Sequence, residues 1–168
     1  MNEESTDPLV DKAYRLGFEL EEKYGACSQM VLATIQDLFQ NLNEDIIKAS
    51  HPLAGGGAGC EDGTCGALSG GLLAIGAEFG RERSKFGRDI DSTHKEAGRS
   101  LHDRFVQNFG SCICREVRDE INGLPISIGG ETYKRGIRVS NCAGVVGATA
   151  SWTADTLREY GLEPSEFS

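Results

Sequence analysis

The sequence predicts a mainly α-helical single domain, residues 1–168, built from five or six helices. Three observations carry that prediction. Apolar residues recur at i, i+3, i+4 and i+7 through most of the chain. The periodic stretches start at Asp, Asn, Ser or Thr and stop at Gly, the residues that cap helices. The alternation a strand requires is confined to one stretch, near residues 124–139, where a small β-hairpin is expected.

The elements follow in order. Asp7-Pro8 opens the first helix: a carboxylate accepts the free N–H groups of the first turn, and proline at the first position has no N–H to leave unpaired. Val10, Ala13, Tyr14, Phe18 and Glu21 follow at helical spacing, and Gly25 is the stop. Residues 1–6 are expected to be a disordered N-terminus. A second helix starts near Ala26 and carries Cys27, Met30, Val31, Thr34, Ile35, Leu38 and Phe39 as a buried stripe. Asn43 caps a short turn through Ile46 and Ile47, closed by His51-Pro52. Residues 54–63 are a glycine-rich loop.

Thr64 reads as the N-cap of the next helix, Cys65 to Phe79. Its small residues make it a poor isolated helix. They are explained if another backbone, or a ligand, comes too close for side chains. Gly66, Gly70 and Ala74 are four apart and share one face, and Gly66 and Gly70 are expected to pack closely at the site. Residues 81–91 form a mixed-charge loop. A helix from Ser92 to Asn108 follows, with Ala97, Leu101, Phe105 and Phe109 as its core stripe. Gly110-Ser111 breaks it, and Ser111 caps a short helix containing Cys112, Cys114 and Val117. Ile126, Ile128, Gly129-Gly130, Thr132 and Tyr133 suggest the hairpin, which must lean on the helices for stability. Ser140 or Asn141 caps the last helix. Cys142, Val145, Val146, Thr149, Trp152 and Leu157 face inward along it, and Gly161 ends it.

Composition bounds the function. The net charge is −9, a poor match to nucleic acid, whose phosphates are held by Lys and Arg. No apolar run is long enough to span a membrane. Met1 to Asp7 has neither a basic region nor an apolar stretch, so no export signal is expected and a cytoplasmic location is. Six cysteines are too few for a disulfide scaffold of this length. In a reducing compartment they point instead to metal ligands or redox thiols.

Those cysteines are Cys27, Cys60, Cys65, Cys112, Cys114 and Cys142. No C-x-x-C occurs, which excludes thioredoxin-like dithiols and paired zinc knuckles. Cys60-x4-Cys65 matches only half of a plant-type ferredoxin spacing. Placement is more informative. Cys27, Cys65, Cys114 and Cys142 each fall in the first turn of an expected helix, where free N–H groups and the helix dipole lower a thiol pKa. Four such ends aimed at one spot would cradle an anionic object, and four thiolates around a 2Fe–2S cluster are one. The competing reading is that a free cysteine is simply a small core residue.

Cys27, the run Cys65-Gly66-Ala67-Leu68-Ser69-Gly70, Phe109-Gly110-Ser111 leading to Cys114-Arg115-Glu116, and Cys142 together resemble a redox-active family named for its C_GCAxxG_C_C pattern. The resemblance runs from about Tyr24 to Ala150. It implies a small helical protein, and its kinship with the cluster-bearing module of split-Soret cytochromes implies an iron–sulfur cluster, 2Fe–2S favoured. Carried over position by position, the ligands are Cys27, Cys65, Cys114 and Cys142. Cys60 and Cys112 fall outside the pattern, as extra candidates.

Other features carry less. His51, His94 and His102 read as structural or solvated. Ser28 and Ser69 have no triad around them. Gly55-Gly56-Gly57 lacks the Lys-Ser/Thr ending of a P-loop. The basic residues between 81 and 104 are interleaved with acidic ones and form a solvated face, or a docking patch for an acidic redox partner. Trp152 belongs to the core or to a homodimer interface. Three functions remain open: an iron–sulfur electron carrier, a metal-free thiol/disulfide or sulfur-transfer protein, and a structural zinc protein.

Overall fold

The Asp7 side chain accepts the Leu9 N–H at 3.0 Å, directly ahead of Pro8, and so starts α1, Pro8–Tyr24. Gly25, at φ 68°, stops it. The computed structural model describes residues 7–88, 91–121, 126–128, 131–133 and 141–165. The other helices are α2 (Cys27–Phe39), α3 (Glu44–Ala49), α4 (Gly66–Phe79), α5 (Thr93–Phe109), α6 (Cys114–Ile121) and α7 (Asn141–Glu159). Short 3-10 turns cover His51–Leu53 and Arg83–Lys85.

The molecule is mainly helical, but the described residues hold seven α-helices rather than five or six. The addition is α3. The sequence expects only a turn after Asn43, yet the Asn43 side chain accepts the Ile46 N–H at 3.0 Å and organises six helical residues. A second correction concerns α4. Thr64 is not its N-cap, because Thr64 bridges to Ile113 in an antiparallel pair, and Cys65 takes the cap position. Within the stretch near 124–139, Ile126–Ile128 (β1) and Glu131–Tyr133 (β2) pair antiparallel, with Ile126 opposite Tyr133. The rest of that stretch, residues 1–6 and Ser140 lie outside the described residues.

Helix α7 is the centre of the packing, touching α1, α2, α4, α5 and α6. Residues 143–151 along it are all buried. Its buried hydroxyls do not need partners elsewhere: Thr149 and Thr153 donate to the carbonyls of Val145 and Thr149 at 2.7 Å, one turn back. Glycines let neighbours approach. A β-carbon on Gly147 would stand 2.8 Å from the Tyr14 carbonyl oxygen of α1. One on Gly71 would stand 2.6 Å from both Leu101 Cδ2 and Thr153 Oγ1. Trp152 packs on Phe109 with ring centroids 5.6 Å apart, joining α7 to α5. At the surface Arg158 pairs with Asp7 at 2.6 Å and Asp155 at 2.8 Å, a link between the start of α1 and the end of α7 that contributes little by itself.

These contacts separate two glycines by their role. Gly147→Val forces α1 and α7 apart and should destabilise the protein by about 1–3 kcal/mol or more. Gly76, exposed in α4 with nothing within 4 Å of an added β-carbon, should gain about 0.5–1 kcal/mol on Gly76→Ala, through helix propensity alone. Urea denaturation midpoints of the two variants, one below and one above the parent, check this.

Candidate metal centre

Four helices begin at one place. Cys27 is the first residue of α2, Cys65 is the N-cap of α4, Cys114 opens α6, and Cys142 is the second residue of α7. Local pairing explains two of these positions. The segment 61–65 runs antiparallel to 112–115: the Cys65 N–H donates to Cys112 O at 2.7 Å, the Cys114 N–H to Gly63 O at 2.9 Å, and the Arg115 N–H to Glu61 O at 2.9 Å. That clamp holds the starts of α4 and α6 side by side.

Helix α2 reaches the same point because α4 has no side chain in the way. A β-carbon on Gly66 would stand 2.5 Å from Cys27 Sγ, and one on Gly70 would stand 2.5 Å from the Ser28 carbonyl oxygen. The loop contributes similarly, since a β-carbon on Gly56 would meet the Cys114 Cβ at 2.8 Å. Ser28 fixes the first turn of α2 by donating to Ser50 O at 2.8 Å.

Cys27, Cys65, Cys114 and Cys142 line one cavity of about 290 Å³. Its other walls are Ala26, Ala54, Gly55, Ala67, Val117, Val145 and Val146, with two charged residues, Glu21 and Arg118. Cys60 and Cys112 are not on the wall: Cys60 is exposed, and Cys112, half-buried, packs against the core. Cys112 also lies ahead of α6 rather than in it, since Ser111 turns the chain by accepting the Ile113 N–H at 3.0 Å and the helix starts two residues on. His51, His94 and His102 stand elsewhere. Among the described residues, no three His, Cys, Asp or Glu side chains gather as closely as a single ion would need; the thiols stand around the wall.

The electrostatics correct one expectation. Helix N-termini were expected to lower the thiol pKa values, and all four are raised. Burial pushes Cys65 up to about 12, with Cys27 close by adding to it, although the Ala67 and Leu68 N–H groups of α4 donate toward its sulfur. Cys27 is raised by burial against the opposing N–H groups of Gly55 and Ser28. Burial, then the neighbouring Cys27 and Glu21, lift Cys142 to about 11. Cys114 rises by burial despite Arg118. The helix-end N–H groups are present, but loss of solvent in an alanine- and valine-lined cavity outweighs them.

Glu21 and Arg118 were not singled out from the sequence. The signal for Glu21 was its place on the apolar stripe of α1, where a carboxylate is out of keeping. For Arg118 it was the spacing of four from Cys114, which puts the two on one face of α6. Burial, with Glu22 next to it, raises the Glu21 carboxyl to about 7. Its Oε2 has no hydrogen-bond partner among the described residues. Arg118 reaches the other way, to an ion pair with Glu61 in the glycine-rich loop.

The family model described as "Putative redox-active protein (C_GCAxxG_C_C)" matches residues 25–156, well over half of the chain. No curated protein matches, and no solved structure does.

The Glu21 shift has a pH signature in metal-free protein. The folded state holds the proton to about 7, whereas an unfolded glutamate releases it near its ordinary value. Stability is therefore greatest below the unfolded pKa and falls as pH rises through the folded one, by on the order of 2 kcal/mol. Urea denaturation at pH 5 and pH 7.5 should show the fall in the parent, and Glu21→Gln should remove most of it.

Proposed function

The chain belongs to the C_GCAxxG_C_C family of redox-active proteins, and from that premise we propose that it is an electron carrier holding an iron–sulfur cluster, 2Fe–2S favoured, on Cys27, Cys65, Cys114 and Cys142. The observation that carries the reading is that these four cysteines, each from the start of a different helix, line one cavity. When bound, such a cluster supplies one-electron transfer.

The residues fit that group in three respects. The donor set is four soft thiols, the set that iron–sulfur clusters take. A cavity of about 290 Å³ suits a group of several atoms more than a lone zinc ion, which needs all four sulfurs about 2.3 Å from one point. Backbone N–H groups already directed at the Cys27 and Cys65 sulfurs would hold thiolate charge and set a potential. The raised pKa values argue in the same direction. A thiol at about 12 is nearly all protonated at neutral pH, so it is a poor metal-free nucleophile. A bound metal cation supplies the charge that removes the proton.

Each residue then has a task. The four cysteines hold the group. Gly66 and Gly70 keep α4 close enough to α2 for Cys27 and Cys65 to share it. Ala67, Val117, Val145 and Val146 keep water away, and Arg118 supplies positive charge to Cys114 and Cys142.

Protein prepared without air should be brown, with about two irons and two acid-labile sulfides per chain for the 2Fe–2S form. A colourless protein with stoichiometric zinc would overturn the reading in favour of a structural zinc site. A colourless, metal-free protein losing two titratable thiols on mild oxidation would do so in favour of thiol/disulfide chemistry. Cys114→Ser should lose the iron while Cys112→Ser keeps it, and the reverse result would shift the ligand register by two residues.

The glycine series reads the same site sterically. Gly66→Val and Gly70→Val should lose most of the bound iron, because the new side chain displaces α2 from α4 at a cost of about 1–3 kcal/mol or more. Gly76→Ala should keep all of it. Equal iron content in the three variants would contradict the close-approach role.

A further inference from the structure

The cysteine cavity has one thin wall. Ala26, Ala54 and Gly55 line it from within, and the same three residues line an open surface groove together with His51, Pro52, Ala58 and Gly59. A single layer of chain with small side chains therefore separates the cavity from the outside. Cys27 stands behind that layer. Its Sγ and the Ala54 Cα lie 2.5 and 2.9 Å from the same point, the place a β-carbon on Gly66 would take.

The groove is built by its own backbone. The Ala58 N–H donates to Pro52 O at 2.7 Å and the Gly59 N–H to Ala54 O at 3.2 Å. The Ser28 hydroxyl ties Ser50, which precedes His51, to the start of α2. The lining holds no carboxylate, lysine or arginine, in a chain whose net charge is −9. Among the described residues three large apolar side chains are exposed, Tyr24, Leu53 and Phe86. Two of them adjoin groove residues in the chain: Tyr24 ends α1 two residues before Ala26, and Leu53 lies between Pro52 and Ala54. Exposed apolar surface of this kind marks a place of interaction. Lys23 lies over the Tyr24 ring at 5.0 Å, so attraction at long range comes from the acidic total of the chain and the contact itself from the apolar residues.

We propose that this groove is the electron port of the cavity, and that its occupant is a one-electron redox protein, basic overall, with an uncharged apolar contact face. The proposal rests on the reading of the cavity as an iron–sulfur site. In the encounter one electron leaves the reduced cluster and reduces the partner by one; no bond forms or breaks. The thin wall keeps the distance short, and electron transfer falls steeply with distance. A small patch is sufficient, since redox encounters bury little surface.

The test is stopped-flow oxidation of the anaerobically reconstituted full chain after reduction with dithionite. Two acceptors are compared: ferric cytochrome c, a basic protein with an exposed apolar haem edge, and hexaammineruthenium(III), small enough to reach any face. The parent, Tyr24→Lys, Leu53→Lys and Phe86→Lys are followed at one salt concentration. The three substitutions add the same charge and remove an exposed apolar side chain, but Phe86 follows the far end of α4, a helix about 20 Å long that starts at the cavity. With cytochrome c, Tyr24→Lys and Leu53→Lys should react at least about tenfold more slowly than Phe86→Lys. Their cluster spectra should match the parent, and their rates with the ruthenium complex should stay close to that of Phe86→Lys.

A cytochrome c rate in either groove variant equal to that of Phe86→Lys overturns the proposal and leaves the iron–sulfur reading intact. A groove variant that is slowed with both acceptors, or whose cluster spectrum changes, overturns it too, because the side chain then serves the cavity. A parent that sediments as a dimer and becomes a monomer as Leu53→Lys gives the groove to a second copy of the chain, against the proposal. A parent that retains neither iron nor sulfide overturns the iron–sulfur reading, and the proposal with it.

Discussion

The approach of α4 to α2 is the constraint on which the cavity depends. At Gly66 the backbone passes so near the Cys27 sulfur that a β-carbon would lie 2.5 Å from it. At Gly70, one turn on, the same would happen against the Ser28 carbonyl. Two helices at that distance bring Cys27, the first residue of α2, and Cys65, the N-cap of α4, onto a common wall. The cost is a weak helix: glycine in a helix interior loses about 0.5–1 kcal/mol relative to alanine. Burial offsets it, since Ala67, Leu68, Ala74 and Ile75 of α4 are all inside. Helix α7 applies the same solution from the other side, with Gly147 against Tyr14, and so places Cys142.

Once the helix starts meet, two electrostatic effects compete at each sulfur. The free N–H groups of a helix end favour thiolate. The removal of water favours thiol. Here removal of water prevails at all four positions. The outcome is a cavity whose thiols are neutral by themselves but whose surroundings already contain donors for sulfur charge. On the proposed reading, the helix ends would stabilise the thiolates once a bound metal had taken up their charge. An exposed redox thiol would need the opposite balance, with solvent or a cation permanently at hand.

How much of this could be read from the chain depends on the range of the interaction. Caps and stripes are local, so Asp7, Asn43 and Gly25 mark real boundaries, and the stripe of Val31, Ile35 and Leu38 is buried as its spacing requires. The start of α4 was misplaced by one residue because Thr64 has a partner, Ile113, far along the chain. The placement of Cys27, Cys114 and Cys142 at helix starts was legible from Gly25, Ser111 and Ser140 or Asn141, and that of Cys65 from Thr64. The direction of their pKa shifts was not. It is set by Val145, Val146 and Val117 closing over the sulfurs, and no spacing rule contains that. Glu21 was visible as a charge on an apolar stripe, but that its oxygen lacks a partner is a property of the assembled wall.

The backbone around the cavity shows what this assembly costs. Ala26, Ala58 and Glu61 are non-glycine residues in the left-handed region, at φ 65°, 49° and 64°, where each costs about 1–2 kcal/mol. All three border the cavity or its loop, and strain of this kind persists only where the surroundings over-determine it. For Glu61 those surroundings are explicit. Its N–H donates to Gly55 O at 2.9 Å, its carbonyl accepts the Arg115 N–H at 2.9 Å, and its side chain pairs with Arg118. One residue thus fastens the glycine-rich loop to the first turns of α6. Gly55 of that loop directs its N–H to the Cys27 sulfur, and Gly56 packs on Cys114. The strained residue and the loop glycines therefore do one job together. They hold a loop, itself without a hydrophobic anchor among the described residues of its middle, against the Cys27 sulfur and the Cys114 side chain.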